Sequence, residues 1–312
     1  MYRTARSTRL VVSISAAALL AACGGESKVK LVTPDSLSPA VAPVSDTGTK
    51  ESAGNVTKPV VQVVSLSEAE GVYRDKQYVA ASEMFASFVD QHPSNPWGYY
   101  MLGLSSWKAG NLDQAEDALV KANELDPKHV KTLLNLTRVH LDHGRPKDAL
   151  GRVTAAMKLD STSGEVYRLM GRVRSSLNEP NEAIAAYRVA LLRDPMDVWS
   201  MNNMGLIMIQ QGKNEDALGP LARAVQLDST VAVFQNNLGI ALEHTGRFAL
   251  ATEAYKVALA IDGGYTKAKL SLGRVEGRKE DLSLPPVELV TVAQNFDREI
   301  RGVQMGGPIP KN

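Results

Sequence analysis

The stretch NNMGLIMIQQGKNEDALG at 202–219 returns 34 residues later as NNLGIALEHTGRFALATE at 236–253. Asn202, Asn203, Gly205, Gly212 and Ala217 become Asn236, Asn237, Gly239, Gly246 and Ala251, all displaced by one interval. A fixed period of this length marks a repeat architecture, because a unit so small cannot bury its own apolar face and must stack on copies of itself.

With Pro96 as position one, the period runs 96–129, 130–163, 164–197, 198–231 and 232–265 without insertion. Position eight is Gly103, Thr137, Gly171, Gly205 and Gly239, and position 15 is Gly110, Gly144, Asn178, Gly212 and Gly246. Alanine fills position 20 (115, 149, 183, 217, 251) and position 27 (122, 156, 190, 224, 258). Small residues recur where two helices approach closely, and Gly or Asn recurs where a helix needs a left-handed stop. Apolar residues at positions four, seven and 11, then at 20, 24 and 27, have helical spacing; in the fourth unit they are Met201, Met204, Met208, Ala217, Leu221 and Ala224. Asp followed by Pro or Ser closes most units, as at Asp126-Pro127, Asp194-Pro195 and Asp228-Ser229. Each unit therefore reads as a helical hairpin.

Tyr99, Leu102, Gly103, Ala115, Leu119, Ala122 and Pro127 stand at the spacing of the tetratricopeptide repeat, and the chain resembles that family over about 170 residues. The resemblance implies an all-α fold, a right-handed superhelical solenoid of five to six hairpins with a capping helix. Residues 62–95 read as a divergent first repeat, with Tyr78, Ala81, Phe85 and Pro93 in phase. Residues 96–265 hold the five regular units. Residues 266–281 keep Leu272 and Gly273 in register among Lys267, Lys269, Arg274, Arg278 and Lys279, as a polar capping helix requires. In the tail, 282–312, Pro285 and Pro286 precede a stripe of Leu289, Val292, Phe296, Ile300 and Val303, which needs a partner surface. We expect it to pack against the last repeat, with a site on another protein as the rival.

The N-terminal segment reads as an address. Residues 1–22 place Arg3, Arg6 and Arg9 before a short apolar run, the plan of a secretory signal. That run ends in Leu20-Ala21-Ala22-Cys23, which resembles the lipobox of bacterial lipoproteins, and Cys23 is the only cysteine in the chain. The resemblance implies a diacylglyceryl group on Cys23, with Gly24 pointing to the outer membrane, facing the periplasm. Residues 23–61 would then be the lipidated cysteine and a Ser-, Thr-, Pro- and Gly-rich tether with a reach of about 35 Å.

No phosphate loop, zinc-type spacing or nucleophile elbow occurs, so we expect no catalytic residues, metal or cofactor. His140 and His143 read as a core side chain and a helix-end cation. The formal charge of +1 gives no reason to expect nucleic acid, and no small-molecule substrate is expected. Function is expected in the concave face. By the resemblance, that face carries Trp97, Tyr100, Trp107, Lys131, Arg138, Arg168, Arg172, Trp199, Asn202 and Asn236 as candidate peptide-binding residues. Asn135, Asn203 and Asn237 at position six have two readings, a ladder for a peptide backbone, as in some members of the family, or bonds within the solenoid. Trp97 and Trp199 likewise either bind or pack on a neighbouring helix. The four cations suggest a receptor for an acidic segment, opposed only by Glu165 and Asp142, so that Arg168→Glu with Arg172→Glu should spare melting and weaken capture of a protein or peptide partner. The resemblance to lipid-anchored bacterial members of the family implies a membrane-anchored adaptor that assists pilus or secretion-complex assembly, or one that recruits cell-wall hydrolases or proteases.

Overall fold

The computed structural model describes residues 64–280 and 283–306, with side chains through residue 302. The leader, Cys23, the tether and the side chain of Val303 lie outside the described residues. Among those described are fourteen α-helices and no strand.

The first hairpin is α1 (Leu66–Arg74) with α2 (Tyr78–Gln91). The five regular hairpins are α3 (Pro96–Ala109) with α4 (Leu112–Leu125), α5 (Val130–Asp142) with α6 (Pro146–Leu159), α7 (Gly164–Ser176) with α8 (Pro180–Arg193), α9 (Val198–Gln210) with α10 (Asn214–Leu227), and α11 (Ala232–His244) with α12 (Phe248–Ile261). Two single helices follow, α13 (Thr266–Val275) and α14 (Leu289–Gly306).

The turn inside each regular hairpin is made by the residue at position 15. Gly110, Gly144, Gly212 and Gly246 have φ between 71° and 87°, and Asn178 takes the same left-handed region at 63°. Close approach at a glycine in position eight fixes four of the five pairs, the second having Thr137 there. A Cβ on Gly171 would stand 2.6 Å from Tyr187 Cε1, and one on Gly205 would stand 2.5 Å from Leu221 Cγ. The alanines at positions 20 and 27 are buried in every unit, so the core runs unbroken along the stack.

Successive first helices touch: α3 meets α5, α5 meets α7, α7 meets α9, α9 meets α11 and α11 meets α13. Successive second helices make no comparable contact among the described residues. The stack therefore curves with the first helices on its inner side, and their side chains line the concave face.

The tail differs from expectation. Instead of resting on the fifth unit, α14 doubles back and lies against α10 and α8, on the outer side of the fourth and third units. Ala293, Phe296 and Ile300 are buried there, and Arg188–Glu299 (2.6 Å) and Arg223–Asp297 (2.9 Å) flank them. The seat is made by Gly219, where a Cβ would come within 3.1 Å of Phe296 Cβ. No described helix is long and apolar enough to cross a membrane.

Candidate functional site

The concave face begins with an aromatic group. Asn95 caps α3 by accepting from Gly98 N at 2.9 Å, and Pro96 occupies the first turn, so Trp97 and Tyr100 rise on one side of the helix. Their rings stack with centroids 5.1 Å apart, and His129, just before α5, meets Tyr100 edge-on at 4.9 Å. Trp97 keeps 42% of its surface exposed while its Nε1 donates to Glu70 Oε1 at 2.8 Å. Burial raises the pKa of the Tyr100 hydroxyl, against the opposing pull of the Asn135 hydrogen bond and the Arg138 charge.

A polar string runs from this group across four successive first helices. Asn135 Nδ2 donates to Tyr100 Oη at 3.2 Å, and Arg138 Nη1 donates to Asn135 Oδ1 at 2.7 Å. Arg138 Nη2 pairs with Glu165, which also has Arg168 Nη2 at 3.8 Å. Arg168 Nη1 reaches Asp197 Oδ1 at 3.1 Å, and Asp197 caps α9 by accepting from Ser200 N at 3.3 Å and Ser200 Oγ at 2.6 Å. The two buried charges of the string, Arg138 and Asp197, each meet an opposite charge, from the partly exposed Glu165 and Arg168.

Beyond it lies a ladder of amides joined head to tail. Asn236 Nδ2 donates to Asn237 Oδ1 at 3.3 Å, Asn237 Nδ2 to Asn202 Oδ1 at 2.9 Å, and Asn202 Nδ2 to Asn203 Oδ1 at 3.2 Å. Both ends are buried: Asn203 faces the hydroxyl of Tyr187, and Asn236 Oδ1 has no hydrogen-bond partner among the described residues. Such a chain is polarised in one direction, each amide donating to the next.

Family models described as tetratricopeptide repeat match residues 106–173, 168–232 and 204–266, together just over half of the chain. The chain belongs to the tetratricopeptide repeat family. Human tetratricopeptide repeat protein 7B is 32% identical over 129 residues, which are 41% of this chain and only 15% of that relative. Among solved structures, the Cut9 and Hcn1 hetero-tetramer of the APC/C is similar with a TM-score of 0.60 at 18% identity, over 67% of this chain and 41% of that one. The pilF structure from Pseudomonas aeruginosa is similar with a TM-score of 0.54 at 21% identity, over 67% of this chain and 90% of that one. At these identities the structural likeness concerns the fold.

Within the tetratricopeptide-repeat frame, the candidate residues fall into three sets. Trp97 and Tyr100 come together, and Lys131 is exposed with no ion pair among the described residues. Trp107 and Trp199 turn to neighbours: Trp107 Nε1 donates to Asp142 Oδ2 at 2.9 Å, and the Trp199 ring meets Phe234 at 4.9 Å. Arg138, Arg168, Asn202 and Asn236 bond within the solenoid, while Arg172 is buried near Tyr187. The expectation that only Glu165 and Asp142 oppose these cations is thus corrected: Glu165 pairs with Arg138, Asp142 accepts from Trp107, and Asp197, at the cap of α9, pairs with Arg168. Sequence reasoning missed Asp197 and His129. The spacing Asp197-x-x-Ser200 at a helix start was the available signal for the first.

His140 and His143 join α5 to α4 through Glu116. His140 is 3% exposed with Nδ1 3.8 Å from Glu116 Oε1, and burial lowers its pKa against the pull of that carboxylate. His143 lies 3.2 Å from Glu116 and 3.3 Å from Asp113. Among the described residues no group of three or more His, Cys, Asp or Glu is placed to hold a metal ion.

Proposed function

We propose that this chain is an envelope scaffold, held at a membrane by a lipid on Cys23, that grips an extended peptide segment of a partner protein along its concave face. The observation that carries the binding reading is Trp97, which keeps 42% of its surface exposed while stacked on Tyr100 and so offers an apolar anchor at one end of the groove. The buried amide ladder toward the other end gives the wall of the groove a polar lining. The process we assign is assistance to pilus or secretion-complex assembly. It rests on the resemblance of Leu20-Ala21-Ala22-Cys23 to a lipobox and is in keeping with the fold shared with pilF.

Site-specific crosslinking from Trp97 in membranes tests the binding reading, with the captured chain identified by mass. Peptides from a pilus or secretion-channel component are the expected product, and reproducible capture of cell-wall hydrolases instead would overturn the assigned process. In the same membranes Cys23→Ser should abolish fatty-acid labelling and release the protein. A Cys23→Ser protein that still carried label would end the anchor proposal.

A further inference from the structure

The last first-type helix, α13, keeps the register of the others and lacks their partner. A Cβ at position eight of α3, α7, α9 or α11 would stand 2.5–2.6 Å from Leu119, Tyr187, Leu221 or Tyr255 of the following helix. Each of those glycines is a socket filled by its own second helix. The equivalent residue of α13 is Gly273, which is exposed, with no described atom within 4 Å of a Cβ placed there.

The chain itself steers away from that seat. After α13 ends at Val275, Gly277 turns left-handed at φ 78°, Arg278 stacks over Phe248 at 4.1 Å, and Glu280 Oε1 accepts from Ala249 N at 2.8 Å. These contacts hold the exit against the start of α12, and the next helix, α14, lies on α10 and α8. Glycine inside an exposed helix costs stability relative to alanine, a cost without compensation unless something approaches closely. Beside the socket Leu270 is 68% exposed and Leu272 only half-buried, although position seven is buried in all five regular units.

The rim of the seat is basic. Lys267, Lys269 and Lys279 are exposed and make no ion pair among the described residues, Arg274 is engaged by Glu243, and Glu276 is the one acidic residue between 266 and 279. A second copy of this face would set lysines against lysines, which disfavours self-association there.

We propose that this end of the solenoid is a docking site for an acidic amphipathic helix of a partner protein. The helix occupies the second-helix position, with a leucine or tyrosine over Gly273, its apolar face on Leu270 and Leu272, and carboxylates toward Lys267, Lys269 and Lys279. The seat over Gly273 adjoins the end of the concave groove, because Lys267 and Leu270 keep the register of Trp97 and Tyr100, but it needs none of the groove residues of the five regular units.

The test uses the full chain and a fluorescent synthetic peptide copying residues 247–261, which carry Tyr255, with Arg247→Glu and Lys256→Glu to make it acidic. Saturable binding is expected, at least tenfold weaker with Gly273→Val, whose side chain would fill the socket, and also weaker with Lys267→Glu plus Lys269→Glu. Both changes are at exposed positions, and unchanged melting curves check that each variant is folded. The unaltered peptide should bind less tightly than the acidic one. Absence of saturable binding, equal binding by Gly273→Val and the parent protein, or a preference for the unaltered peptide would each overturn the proposal.

Discussion

Arg274 holds Glu243 with two parallel hydrogen bonds, Nε to Oε1 at 2.5 Å and Nη2 to Oε2 at 2.7 Å, and so binds α13 to α11. Tyr255 Oη adds a third donor to the same carboxylate at 2.8 Å. Paired bonds of this kind fix orientation as well as distance.

That carboxylate makes the C-terminal end acid-sensitive. Burial alone would raise the Glu243 pKa, but the hydrogen bonds of Arg274 and Tyr255 and the Arg274 charge outweigh it and hold the group below its usual 4.5. A carboxyl lowered on folding contributes stability that is fully present above 4.5 and is lost as pH falls through the folded value. Glu243→Gln should therefore cost about 1.5–3 kcal/mol near neutral pH and remove that part of the acid dependence. Urea denaturation at several pH values measures both. An unchanged slope below 4.5 in the variant would show that the pair does not set it.

The amide ladder carries a second prediction. Asn237→Ala leaves Asn202 Oδ1 and Asn236 Nδ2 without the partners they now have, in a buried site. Each orphaned group should cost about 1–3 kcal/mol, and the midpoint of urea denaturation should fall accordingly. A variant within about 0.5 kcal/mol of the parent would mean that water enters and replaces the lost amide.

How much of this was legible beforehand follows from the range of each interaction. Hairpins, turns and small-residue contacts repeat every 34 residues, so Gly205 over Leu221 and the left-handed Asn178 could be placed from spacing alone. Contacts between units obey no such local rule. Arg168 finds Asp197 and Asn237 finds Asn202 only because stacking sets neighbouring first helices side by side. The helical tail could be read from its apolar stripe, whereas its seat could not. The hint lay in Gly219-Pro220 in mid-helix, where a poor helix-forming pair marks the surface that Phe296 covers.

The seat of α14 gives the third prediction. Phe296 is 4% exposed, so Phe296→Ala should weaken docking by about 3–5 kcal/mol at most, because the helix can leave the surface without unfolding the hairpins beneath it. Deletion after Ser283 should likewise lower the melting temperature while leaving the hairpins helical. Hydrogen exchange should then quicken in α10 and α8 rather than in α12. Faster exchange confined to α12 would place the tail on the fifth unit instead.

Charge reversal in the groove is the last prediction, and the ion pairs change what it should show. Arg168 Nη1 lies 3.1 Å from an Asp197 carboxylate whose side chain is 2% exposed, and Glu165 stands on its other side. Arg168→Glu would set three carboxylates together around the cap of α9, and removing one partner of a buried pair costs about 3–5 kcal/mol. Lys131→Glu, at an exposed residue with no ion pair among those described, should shift stability by no more than about 0.5 kcal/mol. Arg168→Leu with Asp197→Ala, compared with each single change, separates the pair energy from the loss of the cap. If Arg168→Glu melts with the parent protein, the pair does not hold in solution and the cation is available to a ligand after all. If it is destabilised, weakened partner capture by that variant reports a damaged scaffold. The groove is then better examined through Lys131→Glu and Trp97→Ala, whose exposed side chains can be changed while the string from Tyr100 to Ser200 stays intact.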